Sequence, residues 1–102
     1  MRIIKEKFLR DAAEHYPKAA KYLAAWTAIV RAAEWRNLAD VRGCYGSADV
    51  VRVGSGKPVI VFNVCGNTYR LIVAMHFNSQ RAYTLRFLTH AEYDRDDWKD
   101  EL

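Results

Sequence analysis

Residues 59 to 88 leave the chain little choice of fold. Three apolar runs follow one another with only short polar breaks: Val59 to Val64, Tyr69 to Phe77, and Ala82 to Leu88. Each is rich in Val, Ile, Leu and aromatic residues and has the length of a strand. Gly66-Asn67 is a tight-turn pair and residues 78–81 form a second polar break, so the runs must fold back on each other as antiparallel neighbours. Upstream, Asp49-Val50-Val51-Arg52-Val53 alternates like a further hairpin strand, joined by the turn Gly54-Ser55-Gly56-Lys57. That turn is not a phosphate loop, because the Lys-Ser/Thr ending is missing. Arg70 and Arg86 break runs that otherwise read as buried strands. A strand with two buried faces avoids arginine, since an unpaired charge there is costly.

The first third of the chain has a different period. Phe8, Leu9, Ala12, Ala13 and Tyr16 fall on one face of a helix that Pro17 ends. Pro17 is equally suited to open the next helix, expected over residues 18–34, with Ala19, Leu23, Trp26, Thr27, Val30 and Ala33 as its buried stripe. So short a link predicts a helical hairpin covering one face of the sheet. Met1-Arg2-Ile3-Ile4 reads as a short edge strand, and residues 37–47 as a connection. Thr89-His90-Ala91-Glu92 has the capping-box spacing, which predicts a short helix carrying Tyr93 and leading to Trp98. The expected fold class is α+β: two N-terminal helices on a mainly antiparallel sheet of about four strands, with a short C-terminal helix. One domain over residues 1–102 is expected.

Composition narrows the function classes. With 51% hydrophobic residues, the 102-residue chain has enough apolar surface for a core. Its net charge of +4 permits a nucleic-acid partner without requiring one. Cys44 and Cys65 lack metal-ligand spacing and read as buried free thiols. No apolar run approaches the ~20 residues of a membrane span, and no signal peptide is recognisable, so a cytoplasmic protein without membrane contact is expected.

The chemistry must come from the arginines and the residues after them. Arg presents a planar fork that matches phosphate oxygens and keeps its proton. Two such groups on a rigid sheet would stabilise the extra charge of a pentacovalent phosphorane; solvated cations on an open sheet face are the alternative. Thr84, Arg86, Leu88 and His90 share one parity along their strand. A loop of three or five residues puts Arg70 on the same face as Arg86 and His90, and a loop of four puts it on the other. His90 and Tyr93 lie three apart on one helical side, placed for proton transfer and for stacking on a base.

Two blocks then resemble a known family. Val61-Phe62-Asn63-Val64-x-Gly66-Asn67-x-Tyr69-Arg70-Leu71-Ile72-Val73 and Tyr83-x-x-Arg86-Phe87-x-Thr89-His90-x-Glu92-Tyr93-Asp94 resemble the HigB toxins of the RelE-like superfamily. The chain departs from many relatives at Leu88, where they have glycine, and at Thr84-Leu85, where Ile is usual. The resemblance implies the RelE-like fold and a toxin of a type II toxin–antitoxin system. Such toxins are endoribonucleases, mRNA interferases that cut messenger RNA on the ribosome through the RNA's own 2′-OH, with no metal and no cofactor. A helix-turn-helix antitoxin of the HigA type is the implied partner. Arg70, Arg86, His90 and Tyr93 are the expected catalytic residues, and Lys57, Asn67 and Tyr69 the expected RNA contacts. A non-catalytic module that binds RNA or protein through the arginine-bearing face is the alternative.

Overall fold

The computed structural model describes residues 1–102. In chain order the elements are β1 (Arg2–Ile4), α1 (Glu6–His15), a 3₁₀ turn (Pro17–Ala19), α2 (Ala20–Ala32), α3 (Leu38–Cys44), β2 (Asp49–Arg52), β3 (Pro58–Val64), β4 (Tyr69–His76), β5 (Arg81–Thr89), α4 (His90–Asp94) and a second 3₁₀ turn (Asp97–Glu101). The sheet runs β1-β5-β4-β3-β2; β1 pairs parallel with β5 and the other pairs are antiparallel. The expected α+β architecture is therefore present, with a fifth strand supplied by the N-terminal edge.

Alternation along the central strands divides the core in two. Ile60, Phe62 and Val64 of β3 and Leu71 and Val73 of β4 face the helices, where Leu9, Leu23, Trp26, Val30 and Val41 cover them. Val59, Val61 and Ile72 point the other way. The sequence leaves that second face open to water, but the structure caps it. The chain reverses at Asp96, in the left-handed region at φ 63°, and lays Trp98 over Val53, Val59, Val61 and Ile72. Gly54 admits this turn: its N–H donates to the Lys99 carbonyl at 2.8 Å, and a Cβ on Gly54 would stand 3.0 Å from that oxygen.

Two further expectations need correction. Residues 37–47 are not a plain connection, because α3 forms within them. Asn37 caps it, accepting from the Asp40 N–H at 3.0 Å, and burial of Val41 anchors it to the core. Cys44 and Cys65 are exposed rather than buried, since Cys44 is the last residue of α3 and Cys65 sits in the turn just after β3.

The β4–β5 hairpin settles the register. Its loop, residues 77–80 between the pair His76 and Arg81, is of the even length that separates the two arginines. A β-bulge at Leu85 cancels this. Val73 pairs with Thr84 but Ile72 pairs with Arg86, so one extra residue is accommodated on β5. Thr84 consequently faces the helix side and Arg86 the second face, against the shared parity that the sequence predicts. Arg70, opposite Leu88, lies on that same second face.

Candidate active site on the sheet face away from the helices

Arg70 is the centre of the site. It stands on β4 between Tyr69 and Leu71, and its residue exposure is only 7%. Nη1 donates to the Tyr69 carbonyl at 3.0 Å, and Nη2 donates to Asn67 Oδ1 at 2.9 Å and lies 3.3 Å from His90 Nδ1. Its Cζ is 5.5 Å from the centre of the Tyr93 ring. Every acceptor around it is neutral. The ion pairs of the chain use Lys7, Arg31, Arg42, Arg86, His90 and Lys99, and never Arg70.

Capping chemistry holds His90 there. Thr89 Oγ1 accepts from the Glu92 N–H at 3.2 Å, and Glu92 accepts from the Thr89 N–H at 2.9 Å, forming the expected capping box. That bond from the Thr89 backbone is the main reason the Glu92 carboxyl sits below its ordinary value. The His90 N–H then donates to the Thr68 carbonyl at 3.1 Å, tying α4 to the β3–β4 turn that carries Asn67. An arginine only donates, so Nδ1 must accept at that contact. This assigns the Nε2–H tautomer, with Nε2 donating to Asp94 Oδ2 at 3.0 Å.

Tyr93 is supported from below. Its ring stacks on Trp98 at 5.4 Å with 24° between the planes, and Trp98 Nε1 donates to the Tyr93 carbonyl at 3.1 Å. Burial pushes its phenol above the ordinary value, against the opposing pull of Lys99 and Arg70. It therefore keeps its proton near neutral pH. Arg86 stands apart in its electrostatics. Nη1 donates to the Leu85 carbonyl at 2.7 Å, and Nη2 pairs with Glu101 at 3.1 Å, so the C-terminal turn already supplies its counter-charge.

The structure thus brings together Arg70, His90, Tyr93 and Asn67, with Arg86 diagonal to Arg70 on the same face. It does not bring in Lys57 or the Tyr69 ring. Lys57 lies at the far end of β3, six residues from Asn63 or about 20 Å along the strand, beside Val59, His76 and Tyr83. The Tyr69 ring is buried on the helix side against Tyr16 at 5.0 Å and Phe87 at 5.2 Å, because it alternates with Arg70; only its carbonyl joins the site. The sequence reading missed the supports: Trp98 under Tyr93 and Glu101 on Arg86. A lone tryptophan in an acidic tail was the available signal for the first. No three His, Cys, Asp or Glu side chains are grouped to hold a metal ion, and no helix is long and apolar enough to cross a membrane.

Known proteins resemble this chain over most of its length. The chain is 32% identical over 94 residues, 92% of its length and 88% of theirs, to the mRNA interferase toxin HigB of Escherichia coli K12 and to the mRNA interferase HigB of Escherichia coli O157:H7 and of Shigella flexneri. A family model described as HigB_toxin, RelE-like toxic component of a toxin-antitoxin system, matches residues 19–96, a span that holds Arg70, Arg86, His90 and Tyr93 and stops short of Trp98. The chain belongs to the HigB toxin family, the RelE-like toxic components of toxin–antitoxin systems.

Proposed function

We propose that this toxin is an mRNA interferase, a cytoplasmic endoribonuclease that acts as a single domain on ribosome-bound message and is neutralised by a helix-turn-helix antitoxin. The observation that carries the chemistry is the buried guanidinium of Arg70 with three neutral acceptors and no anion. A cation taken out of water without a counter-charge is expensive, and a phosphodiester supplies the charge and the geometry the fork fits. Arg70 binds the non-bridging oxygens of the scissile phosphate. Its Nη2 then leaves His90 Nδ1 free to take the proton of the 2′-OH. The 2′-oxygen attacks phosphorus, the bond to the 5′-oxygen breaks, and the departing 5′-oxygen takes up the proton that the His90 imidazolium gives back, so the products are a 2′,3′-cyclic phosphate and a 5′-OH with His90 neutral again. Asp94 accepts from Nε2–H throughout and stabilises the imidazolium that forms. Tyr93 offers its ring to the nucleotide and its hydroxyl to an oxygen of the phosphate. Arg86 adds a second positive charge on the same face.

The test is to map the ends of RNA cut in the presence of a chelator. The expected upstream end is a 2′,3′-cyclic phosphate, with cleavage undiminished. His90→Gln is expected to slow cutting by about 10²–10⁴, the contribution of one general acid–base group. A plain 3′-OH end, or loss of cutting on chelation, overturns the scheme. RNA bound tightly and left uncut favours the binding-module alternative.

A further inference from the structure

A second recognition surface adjoins Arg70 and is used by nothing described so far. Strand β2 pairs with β3 only from Pro58 to Val61. Beyond that point β3 has no neighbour on its outer side, and the chain leaves a cleft of about 570 Å³ there. Tyr22 of α2 and Tyr45 after α3 form one side, while Asn63 of β3 and Asn67 of the β3–β4 turn form the other. The two tyrosines are partly buried, with ring centres 6.1 Å apart. Burial raises the phenols of both, so both stay neutral.

The two amides are set up differently. Asn67 gives its oxygen to Arg70 at 2.9 Å, which fixes the amide's orientation and leaves its NH₂ without an intramolecular acceptor. Asn63 pairs across the sheet with Arg70 and is partly exposed. Its side chain makes no hydrogen bond within the protein, so both its donor and its acceptor are free for a ligand. Two lysines closely precede Tyr22 in the chain. Cys65 Sγ contacts the Lys18 carbonyl at 3.5 Å, which brings the 3₁₀ turn before α2 against the β3–β4 turn. Lys18 and Lys21 are exposed there, and neither takes part in an ion pair.

We infer that this cleft holds one unpaired nucleobase of single-stranded RNA, next to the nucleotide whose phosphate lies on Arg70. Aromatic sides, two free amides and the lysines before Tyr22 are the elements by which single strands are held: π-surface for the base, hydrogen bonds for its edge, and charge for the neighbouring phosphates. Asn67 joins the two sites, since its amide oxygen accepts from Arg70 and the residue also lines the cleft. Asn63 sets which base edge is accepted. The inference rests on the reading of Arg70 as a phosphate site, but its test does not rest on cleavage.

The experiment is a double-mutant cycle on binding. A short RNA with 2′-O-methyl groups throughout cannot be cut by 2′-OH attack. A second RNA carries one abasic residue, moved in turn through the positions around the Arg70-bound phosphate. Affinities are read by fluorescence anisotropy for the unmodified protein, Asn63→Ala and Arg70→Ala. Asn63 has no internal hydrogen bond to lose, so its variant is expected to fold normally. At one position the missing base is expected to weaken binding to the unmodified protein by about tenfold, within the range for one stacked base. With Asn63→Ala that penalty is expected to shrink at that position alone, because the edge contact goes and the stacking stays, while Arg70→Ala weakens both RNAs in equal proportion. Losses that multiply at every position, with no coupling between Asn63 and any base, overturn the subsite. Loss of all affinity with Arg70→Ala alongside uncoupled Asn63 would do so and leave the Arg70 reading intact.

Discussion

Replacing Arg70 with methionine separates a functional cation from a structural one. Three contacts would go, at 2.9, 3.0 and 3.3 Å. Hydrogen bonds from a charged donor contribute roughly 1.5–3 kcal/mol each, and the long contact to a ring nitrogen less, so the loss is about 3–6 kcal/mol. Against it stands the desolvation of a guanidinium at 7% exposure, a penalty of several kcal/mol that methionine removes. The two nearly cancel, and Arg70→Met is expected to shift unfolding free energy by no more than about 2 kcal/mol. In a chain of this size that is ~8–16 °C at most in Tm. Ligand linkage gives the sharper contrast. Uncleavable RNA at a hundred times its dissociation constant should add about 2.7 kcal/mol to the unmodified protein and far less to the variant. Urea unfolding with and without the RNA reads both numbers. Cleavage should fall by at least ~10² through loss of charge stabilisation. A variant destabilised by more than about 4 kcal/mol, in a protein that RNA does not stabilise in either form, would mean that Arg70 holds the fold together and binds nothing.

Four other outcomes are expected. Removing the cap by Thr89→Ala should cost about 1 kcal/mol and cut activity disproportionately, because His90 loses its seat; urea unfolding and a cleavage assay measure the two. The Glu92 carboxyl is held below its ordinary 4.5 in the folded chain, so its contribution is full above that value and disappears as pH falls through the depressed folded value; unfolding followed from pH 6 down should lose this component in the unmodified protein and not in Glu92→Gln. Glu101→Gln should release Arg86 from its counter-charge, tightening RNA binding and steepening the salt dependence of affinity by about 0.7 log per log. Tyr93→Phe keeps the stack on Trp98 and should leave RNA affinity unchanged while slowing cleavage, as single-turnover kinetics would register.

Much of this was legible in the residues. The helical hairpin broken at Pro17, the turn after Val64 and the capping box at Thr89 are local signals, decided within a few residues, and all three stand in the structure. What was not legible depends on distant partners. Helix α3 contains Gly43 and is flanked by Gly46, and reads as a loop until Val41 finds the core. The cover on the second face depends on Trp98 meeting Val53 and Val59 some forty residues upstream. The face of Arg70 turned on the bulge at Leu85, and no periodicity announces a bulge. The site residues themselves were visible as polar exceptions in apolar runs, yet Lys57 and Tyr69 met that description too, and only the position along β3 and the parity along β4 set them apart.

The bulge also says something about how the toxin tolerates change. Thr84 and Arg86 already pair with consecutive residues of β4, Val73 and Ile72. Deleting Leu85 would therefore leave a regular ladder with Arg86 still across from Ile72 and every later pairing, down to Thr89, in place. The loss would be one partly buried leucine and some local twist. Inserting a residue anywhere from Arg86 to Thr89 would instead turn every following side chain of β5 to the wrong face. Along a few positions of one strand, then, the reading frame of the fold forgives a missing codon but not an added one, and naturally occurring length variants of this hairpin should be found on the short side.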